Sequence, residues 1–511
     1  MRMKSKWIIA ACSVLAVSLA FFAARSQTTA ATVPTHIGTF EGKAPKYVFL
    51  FIGDGMSYPQ ITTAEMYLGK RSNLTDMVGG GGIVQLNFSK FPVAGAAQTF
   101  DSTSFIPDSA STATSLASGH KTLSGVINMD VAKSVKYTPI SETLAKSGYK
   151  VGIITSVPLN HATPAAFYAK VASRNSYYDI AKQIGDTQFD YYGGGGFLQP
   201  KGSDNLQPHI YDYLKGKGYT IVESKEEIKA LDNTSEKVIA INPDMSVDGT
   251  AIPYEIDRPA GELSLADFVK EGIEVLDNDK GFFMMVEGGK IDWANHANDA
   301  ASSVYDTIAF SQAVTHAINF YNEHPDETLI LVTGDHETGG LTIGFAATGY
   351  STFFEKMNGV TTSYEVFDNS VVYPYVKGKT PDTVKLSDLY DEIKANYGLL
   401  SPTDAAASSN PGMVLTQSEI TKLEEALKQS AVPAKERKYG EQEDILYGTY
   451  EPFSVTLSHI INNKCGITFS TYSHSGLPVP VYALGVGQEL FSGFYDNTDV
   501  YKKMAEILGI N

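Results

Sequence analysis

Cysteine is nearly absent: Cys12 and Cys465 are the only two in 511 residues. Cys12 lies in an N-terminal segment with the marks of a cleaved signal, and once that is gone Cys465 stands alone. An internal disulfide is therefore excluded, although the chain is marked for export. Positive charge is also scarce. Lys and Arg number 40 against 57 Asp and Glu, a formal charge of −17 at pH 7, and lysine greatly outnumbers arginine. With no clustered basic patch, nucleic acid is excluded as the main partner. The glycine run Gly79 to Gly82 is not followed by a phosphate-loop lysine. A second run, Gly193 to Gly196, reads as a tight turn after a short strand at Phe189 to Tyr192. Beyond the first residues there is no apolar run of membrane-spanning length, so the processed chain is expected to stay off the membrane. An acidic chain that handles anions must supply positive charge locally, as metal ions or a placed arginine.

What is present begins with that N-terminal segment. Arg2, Lys4 and Lys6 precede an apolar run from Trp7 to Ala24, and Arg25 to Thr32 is polar with small residues. This is the pattern of a secretory signal peptide of about 30 residues, cut between Ala24 and Ala31. Ile9-Ala10-Ala11-Cys12 has too few apolar residues before its cysteine for a lipoprotein site. Loss of Arg2, Lys4, Lys6 and Arg25 takes the charge to about −21 and leaves a periplasmic or secreted protein. With 43% hydrophobic residues, positions 31–511 can bury a large core as one α/β domain. A segment at about 345–458, rich in tyrosine and proline with short helices, reads as an insertion on it.

Several hydrophobic strands end in the same kind of polar cluster. Tyr47 to Ile52 is a continuous apolar run, as in a strand buried on both faces, and stops at Gly53-Asp54-Gly55. Phe282 to Val286 leads into Glu287-Gly288, then Asp292 and His296, four apart and thus on one side of a helix. Carboxylate plus imidazole at that spacing suits zinc, while Glu287 suits a harder cation that prefers oxygen. Thr328 to Thr333 ends in Gly334-Asp335-His336. The strand at Gly152 to Ile154 is followed by His161 and Thr163, and then by Arg174, whose planar fork of donors fits a phosphate. His474 sits in a late loop before a strand at Pro480 to Gly485. The other six histidines (His36, His120, His209, His316, His324 and His459) read as surface or structural. Open α/β sheets bind ligands at the carboxyl ends of their strands, where these clusters fall.

Pro107-Asp108-Ser109 opens a helix of small residues that Gly119 closes. Ser109 falls in its first turn, where free N–H groups and the helix dipole favour a phosphate.

Taken in order, Gly53-Asp54-Gly55, Asp108-Ser109-Ala110, His161-Ala162-Thr163, Ser173-Arg174, Glu287-Gly288, Asp292-x-x-x-His296, Asp335-His336 and His474 resemble the alkaline phosphatase family over essentially the whole processed chain. The resemblance implies a doubly wound, mainly parallel sheet with helices on both faces. It also implies hydrolysis of phosphate monoesters through a phosphoserine at Ser109, by a homodimer. Asp292, His296 and His474 match one zinc site, and Asp54, Asp335 and His336 match a second, which activates Ser109. Asp54, Thr163 and Glu287 match a third site, typically magnesium, and Arg174 matches the arginine that grips phosphate. Two positions depart from the best-known enterobacterial members: His161 replaces an aspartate, and Trp293 replaces a lysine near the phosphate. Both residues are candidates for the phosphate pocket, and the imidazole of His161 admits zinc or cobalt at the third site. A sulfatase would carry a Cys/Ser-x-Pro-x-Arg motif, but Ala-Ser-Thr follows Ser109. A phosphodiesterase would lack matches to Arg174 and Glu287. An exported metal- or phosphate-binding protein would keep the ligands with Ser109 idle, and turnover of an aryl phosphate separates it from an enzyme.

Overall fold

Along Tyr47–Gly53 (β1) every residue is buried. Tyr47, Phe49 and Phe51 enter one hydrophobic cluster, whereas Val48, Leu50 and Ile52 enter another. Side chains alternate across a strand, so a strand apolar at every position must have a core on each side. The computed structural model describes residues 40–71 and 82–510. The signal segment, His36 and most of the Gly79 to Gly82 run lie outside them.

β1 is central in a ten-stranded sheet. The others are β2 (Val93–Gln98), β3 (Lys150–Thr155), β4 (Tyr191–Gly194), β5 (Thr220–Val222), β6 (Val238–Ile241), β7 (Phe282–Glu287), β8 (Thr328–Gly334), β9 (Val479–Gly485) and β10 (Gly493–Asp496). Their order is β10-β2-β9-β8-β1-β7-β3-β4-β6-β5. Only β9 runs against its neighbours, β2 and β8; all other pairings are parallel. Parallel neighbours need crossovers, and helices supply them. Leu265–Leu276, started by a capping box of Ser264 and Asp267, leads into β7, and Ala300–Glu323 leads into β8. The fold is thus α/β with a mainly parallel sheet, as the motifs imply.

The segment after β8 does not stand apart from this core. Phe354, Phe367, Ile393, Leu423, Phe453 and Leu457 join the cluster that takes Phe49 and Phe51. Its helix Gln417–Ser430 begins with a capping box of Thr416 and Glu419. One local expectation shifts: Gly193 and Gly194 belong to β4, because β3 and β6 pair with them on either side. Among the short helices of the later segment, Tyr390–Tyr397 is preceded by a 3-10 turn, Leu386–Leu389, because Leu389 leaves helical geometry (φ −110°, ψ 1°).

Gly334 closes β8 directly before Asp335. A Cβ there would fall inside the contact radius of the Met56 carbonyl oxygen, on the turn that carries Asp54. Since that obstacle is backbone, Gly334→Ala should cost about 1–3 kcal/mol of stability, measured by urea unfolding. Wild-type stability would show that the turn has slack.

Candidate active site

Four adjacent strands, β8, β1, β7 and β3, run parallel and end at the same edge. Asp335 and His336 follow β8, Asp54 follows β1, Glu287 ends β7, and His161 and Thr163 follow β3. Neighbouring strands lie roughly 4.8 Å apart, so four such ends bring carboxylates and imidazoles together. Helix Lys290–His296 adds Asp292 and His296 from one turn beyond β7. His474 arrives on a two-residue strand paired with Glu337–Thr338.

Three groups of ligand atoms result: Asp292, His296 and His474; Asp54, Asp335 and His336; and Asp54, His161 and Glu287. Within each, the atoms lie within 4.8 Å of one another. Thr163 lies beside the third group, where its hydroxyl donates to Asp54 Oδ2 at 3.1 Å.

The first group shows what it is built to hold. His296 Nδ1 lies 2.6 Å from the Tyr472 carbonyl and His474 Nδ1 lies 2.7 Å from the Pro107 carbonyl. A carbonyl only accepts, so in each neutral ring the proton sits on Nδ1 and the Nε2 lone pair is free. Those two Nε2 atoms are 3.1 Å apart, with Asp292 Oδ1 at 3.4 and 3.6 Å from them. Two lone pairs and a carboxylate oxygen converging on one point call for a cation.

In the second group, His336 Nε2 is 3.3 Å from Asp54 Oδ1 and 3.4 Å from Asp335 Oδ2. In the third, the carboxylate oxygens Asp54 Oδ1 and Glu287 Oε1 are buried without a hydrogen-bond partner. Buried polar atoms without partners are rare, and two such oxygens together fit an ion.

Ser109 starts helix Ser109–Ser118, whose residues are all buried and mostly small. Its hydroxyl is 3.1 Å from His336 Nε2. Asp108 caps the helix by accepting from Ser111 N and, through Oδ2, holds Arg174 Nη1 at 2.9 Å. Arg174 Nη2 reaches His161 Nε2 at 3.3 Å. Ser109, His161, Arg174, Asp292, Trp293, His296 and His474 line one cleft of about 330 Å³, together with Tyr364 and Tyr450. Trp293 packs edge-on against His161, with ring centres 5.9 Å apart.

Sequence reading missed the residues that orient these groups. Thr338 donates to Asp292 Oδ1 at 2.5 Å and sits 3.3 Å from His336 Nδ1, linking the first two groups. Thr155 donates to Glu287, and Thr112 to Asp335 Oδ2 at 3.1 Å. For Thr155 and Thr338 a threonine at a strand end was the available signal, but threonine is common in strands for other reasons.

Electrostatically the pit is overloaded with negative charge. Burial, then the Asp335 and Asp292 carboxylates, pushes Asp54 well above the ordinary carboxylate range. Burial and Asp54 do the same to Glu287. Burial and Asp292 raise Asp335 to about 8. The imidazoles move the other way. Burial, with Arg174, lowers His161 to about 3; burial lowers His336 to about 4; burial and His336 lower His474 to about 3. Burial would raise Asp292 too, but the His296, His474 and His336 rings outweigh it and hold it low.

With the geometry described, the relatives place it. An alkaline phosphatase family model matches residues 45–192 and 201–510. Alkaline phosphatase 3 of Bacillus subtilis (strain 168) is 30% identical over 478 residues, covering 91% of this chain and 89% of its own length. Alkaline phosphatase 4 of the same organism is 30% identical over 519 residues, covering 99% and 97%. Among solved structures, the cold-active alkaline phosphatase of a psychrophilic Shewanella superposes with a TM-score of 0.71 at 25% identity, over 90% of this chain and 99% of its own. The Thermus thermophilus alkaline phosphatase has a TM-score of 0.74 at 23% identity and covers 93% of each chain. The relatives are phosphoric monoester hydrolases, and the fold is theirs. The chain belongs to the alkaline phosphatase family, whose members depend on metal ions.

The raised carboxyls give a pH test. The folded metal-free protein keeps protons on them that the unfolded chain has already released, so stability falls as pH rises from 3.8 through about 8. The lowered histidines act oppositely, costing stability only as pH falls below 6.5. Between roughly pH 6.5 and 8 only the carboxyl effect remains. Chelator-treated protein should therefore melt at a lower temperature at pH 8 than at pH 6.5, and Asp335→Asn should reduce the difference. A melting temperature that does not fall over this range would show that the pit carries no excess of buried negative charge.

Proposed function

We propose that this chain is an exported phosphomonoesterase that transfers the phosphoryl group to Ser109 and then to water. The observation that carries the reading is the placement of Ser109. Its hydroxyl is buried at the start of a helix, 3.1 Å from His336 Nε2, in the same cleft as Arg174. Asp292, His296 and His474 would hold one zinc ion, and Asp54, Asp335 and His336 a second. Asp54 and Glu287, with Thr163 or His161 beside them, would hold a third ion, typically magnesium. Such ions, when bound, lower the pKa of a hydroxyl or water and neutralise phosphoryl charge.

The chain's own groups do the rest. Arg174 is held on two sides, by Asp108 and His161, and each of its terminal nitrogens carries a second hydrogen for a phosphoryl oxygen. That grip fixes the phosphorus in line with Ser109 Oγ, which forms the new P–O bond as the ester oxygen leaves with a proton. The free N–H groups of the first helical turn favour the charge that collects there. Water then breaks the Ser109–phosphorus bond and releases inorganic phosphate. Since recognition centres on the phosphoryl group, many monoesters are expected to serve.

Tyr364 and Tyr450 reach the cleft from the segment after β8, which supports reading 345–458 as a cover over the site. The basic and apolar N-terminus supports export. Among the described residues no helix is long and apolar enough to cross a membrane. The family resemblance supports a homodimer, and Phe105, 88% exposed beside Ile106, offers an apolar surface for it.

Incubation with a labelled monoester at acidic pH, followed by quenching, should leave label on Ser109; label on another residue would overturn the assignment. Ser109→Ala should keep its metal content and lose turnover by on the order of 10³–10⁶-fold, the scale on which a missing nucleophile acts. Arg174→Ala should weaken inhibition by inorganic phosphate by about 1.5–3 kcal/mol, the worth of a charge-assisted contact. An unchanged inhibition constant would remove Arg174 from the phosphate site.

A further inference from the structure

Asn298 lies two residues beyond His296 and is 2% exposed. Its backbone is left-handed, with φ 53°, a conformation that asparagine accepts more readily than most residues. Every polar group of its side chain is engaged. Nδ2 donates to the Asn295 carbonyl and to the Thr471 carbonyl, both at 3.0 Å. Because carbonyls only accept, those two bonds settle which end of the amide is nitrogen. The oxygen, Oδ1, therefore accepts from His459 Nε2 at 3.0 Å. The main-chain carbonyl of Asn298 accepts from Asn462 Nδ2 at 2.7 Å.

These bonds tie three segments together. One is the end of helix Lys290–His296, with Asp292 and His296. Another is the loop from Thr471 to His474, whose Tyr472 carbonyl receives His296 Nδ1. The last is helix Pro452–Cys465, which supplies His459 and Asn462. The first two carry all three ligands of the first group, on parts of the chain more than 170 residues apart. His459 donates through Nε2 in either protonation state, and burial lowers it to about 4, so the contact persists at neutral and alkaline pH.

We infer that Asn298, buttressed by His459 and Asn462, is a positioning residue that sets the separation of the His296 and His474 imidazoles and so the affinity of the first cation site. The inference rests on the metal reading given under Proposed function. It assigns His459 a part in the site, although its sequence context marks it only as surface or structural.

Metal-stripped protein titrated with zinc alone, in competition with a chromogenic chelator, tests it. His296→Ala identifies the class of site that belongs to the first group. Asn298→Gly keeps the left-handed backbone without strain and removes the amide. It should weaken that class by about 10–100-fold, the usual effect of losing a partner that orients a ligand, and leave the other sites unchanged. Asn298→Asp, which keeps an oxygen for His459 but loses both N–H donors, should do the same and serves if the glycine variant does not fold. His459→Gln, which restores an N–H, should bind zinc more nearly like the wild type than His459→Ala does. Wild-type affinity in both Asn298 variants, or equal weakening at every site, overturns the inference. If His296→Ala removes no class of site from the wild-type pattern, the metal reading itself fails instead.

Discussion

Four carboxylates, those of Asp54, Glu287, Asp292 and Asp335, are buried within one pit, none more than 3% exposed. Among the described residues Arg174 is the one permanently charged cation that lines the cleft, and Asp108 already pairs with it. Burying unpaired charge is costly, and a sheet that gathers such groups at one edge must offset that cost. Protonating the carboxyls would do so, as the upward shifts of Asp54, Glu287 and Asp335 show. Cations would do so without quenching the ligands. The lone pairs of His296 and His474, turned toward each other by the carbonyls behind them, favour cations, because protons alone do not account for that orientation.

The rest of the architecture serves this gathering. Parallel order makes four consecutive strand ends coincide, and double-sided hydrophobic burial keeps those strands in register. The reversed strand β9 returns the chain beside β8 and brings His474 to the pit just before it begins. The helix that presents Ser109 is built almost entirely of small residues, which lets it lie buried beside the sheet. Asp108 serves twice, capping that helix and holding Arg174, so Ser109 and Arg174 are positioned by one carboxylate.

Much of this was legible in the sequence because it is local. An apolar run ending in Gly-Asp-Gly or Gly-Asp-His announces a buried strand and what stands at its end. The four-residue spacing of Asp292 and His296 is a helical fact. The start of the Ser109 helix could be read from Asp108, and its end from Gly119. What could not be read is what depends on distant segments meeting. Nothing near Thr338 shows that it will bond Asp292, and nothing near His459 shows that it will meet Asn298. His161 illustrates the same limit: nothing in its local sequence shows that Arg174 will reach its Nε2. The segment at about 345–458 reads as an insertion by composition, but which of its side chains enter the main core could not be read.

The central claim is that this pit is shaped around metal cations rather than around shared protons. Anomalous diffraction from crystals of the protein as purified, collected on both sides of the zinc absorption edge, tests it most directly. The account predicts a strong peak between His296 Nε2, His474 Nε2 and Asp292, and a second among Asp54, Asp335 and His336. Well-ordered density for these side chains with no peak at either position, in crystals grown with zinc present, would contradict it.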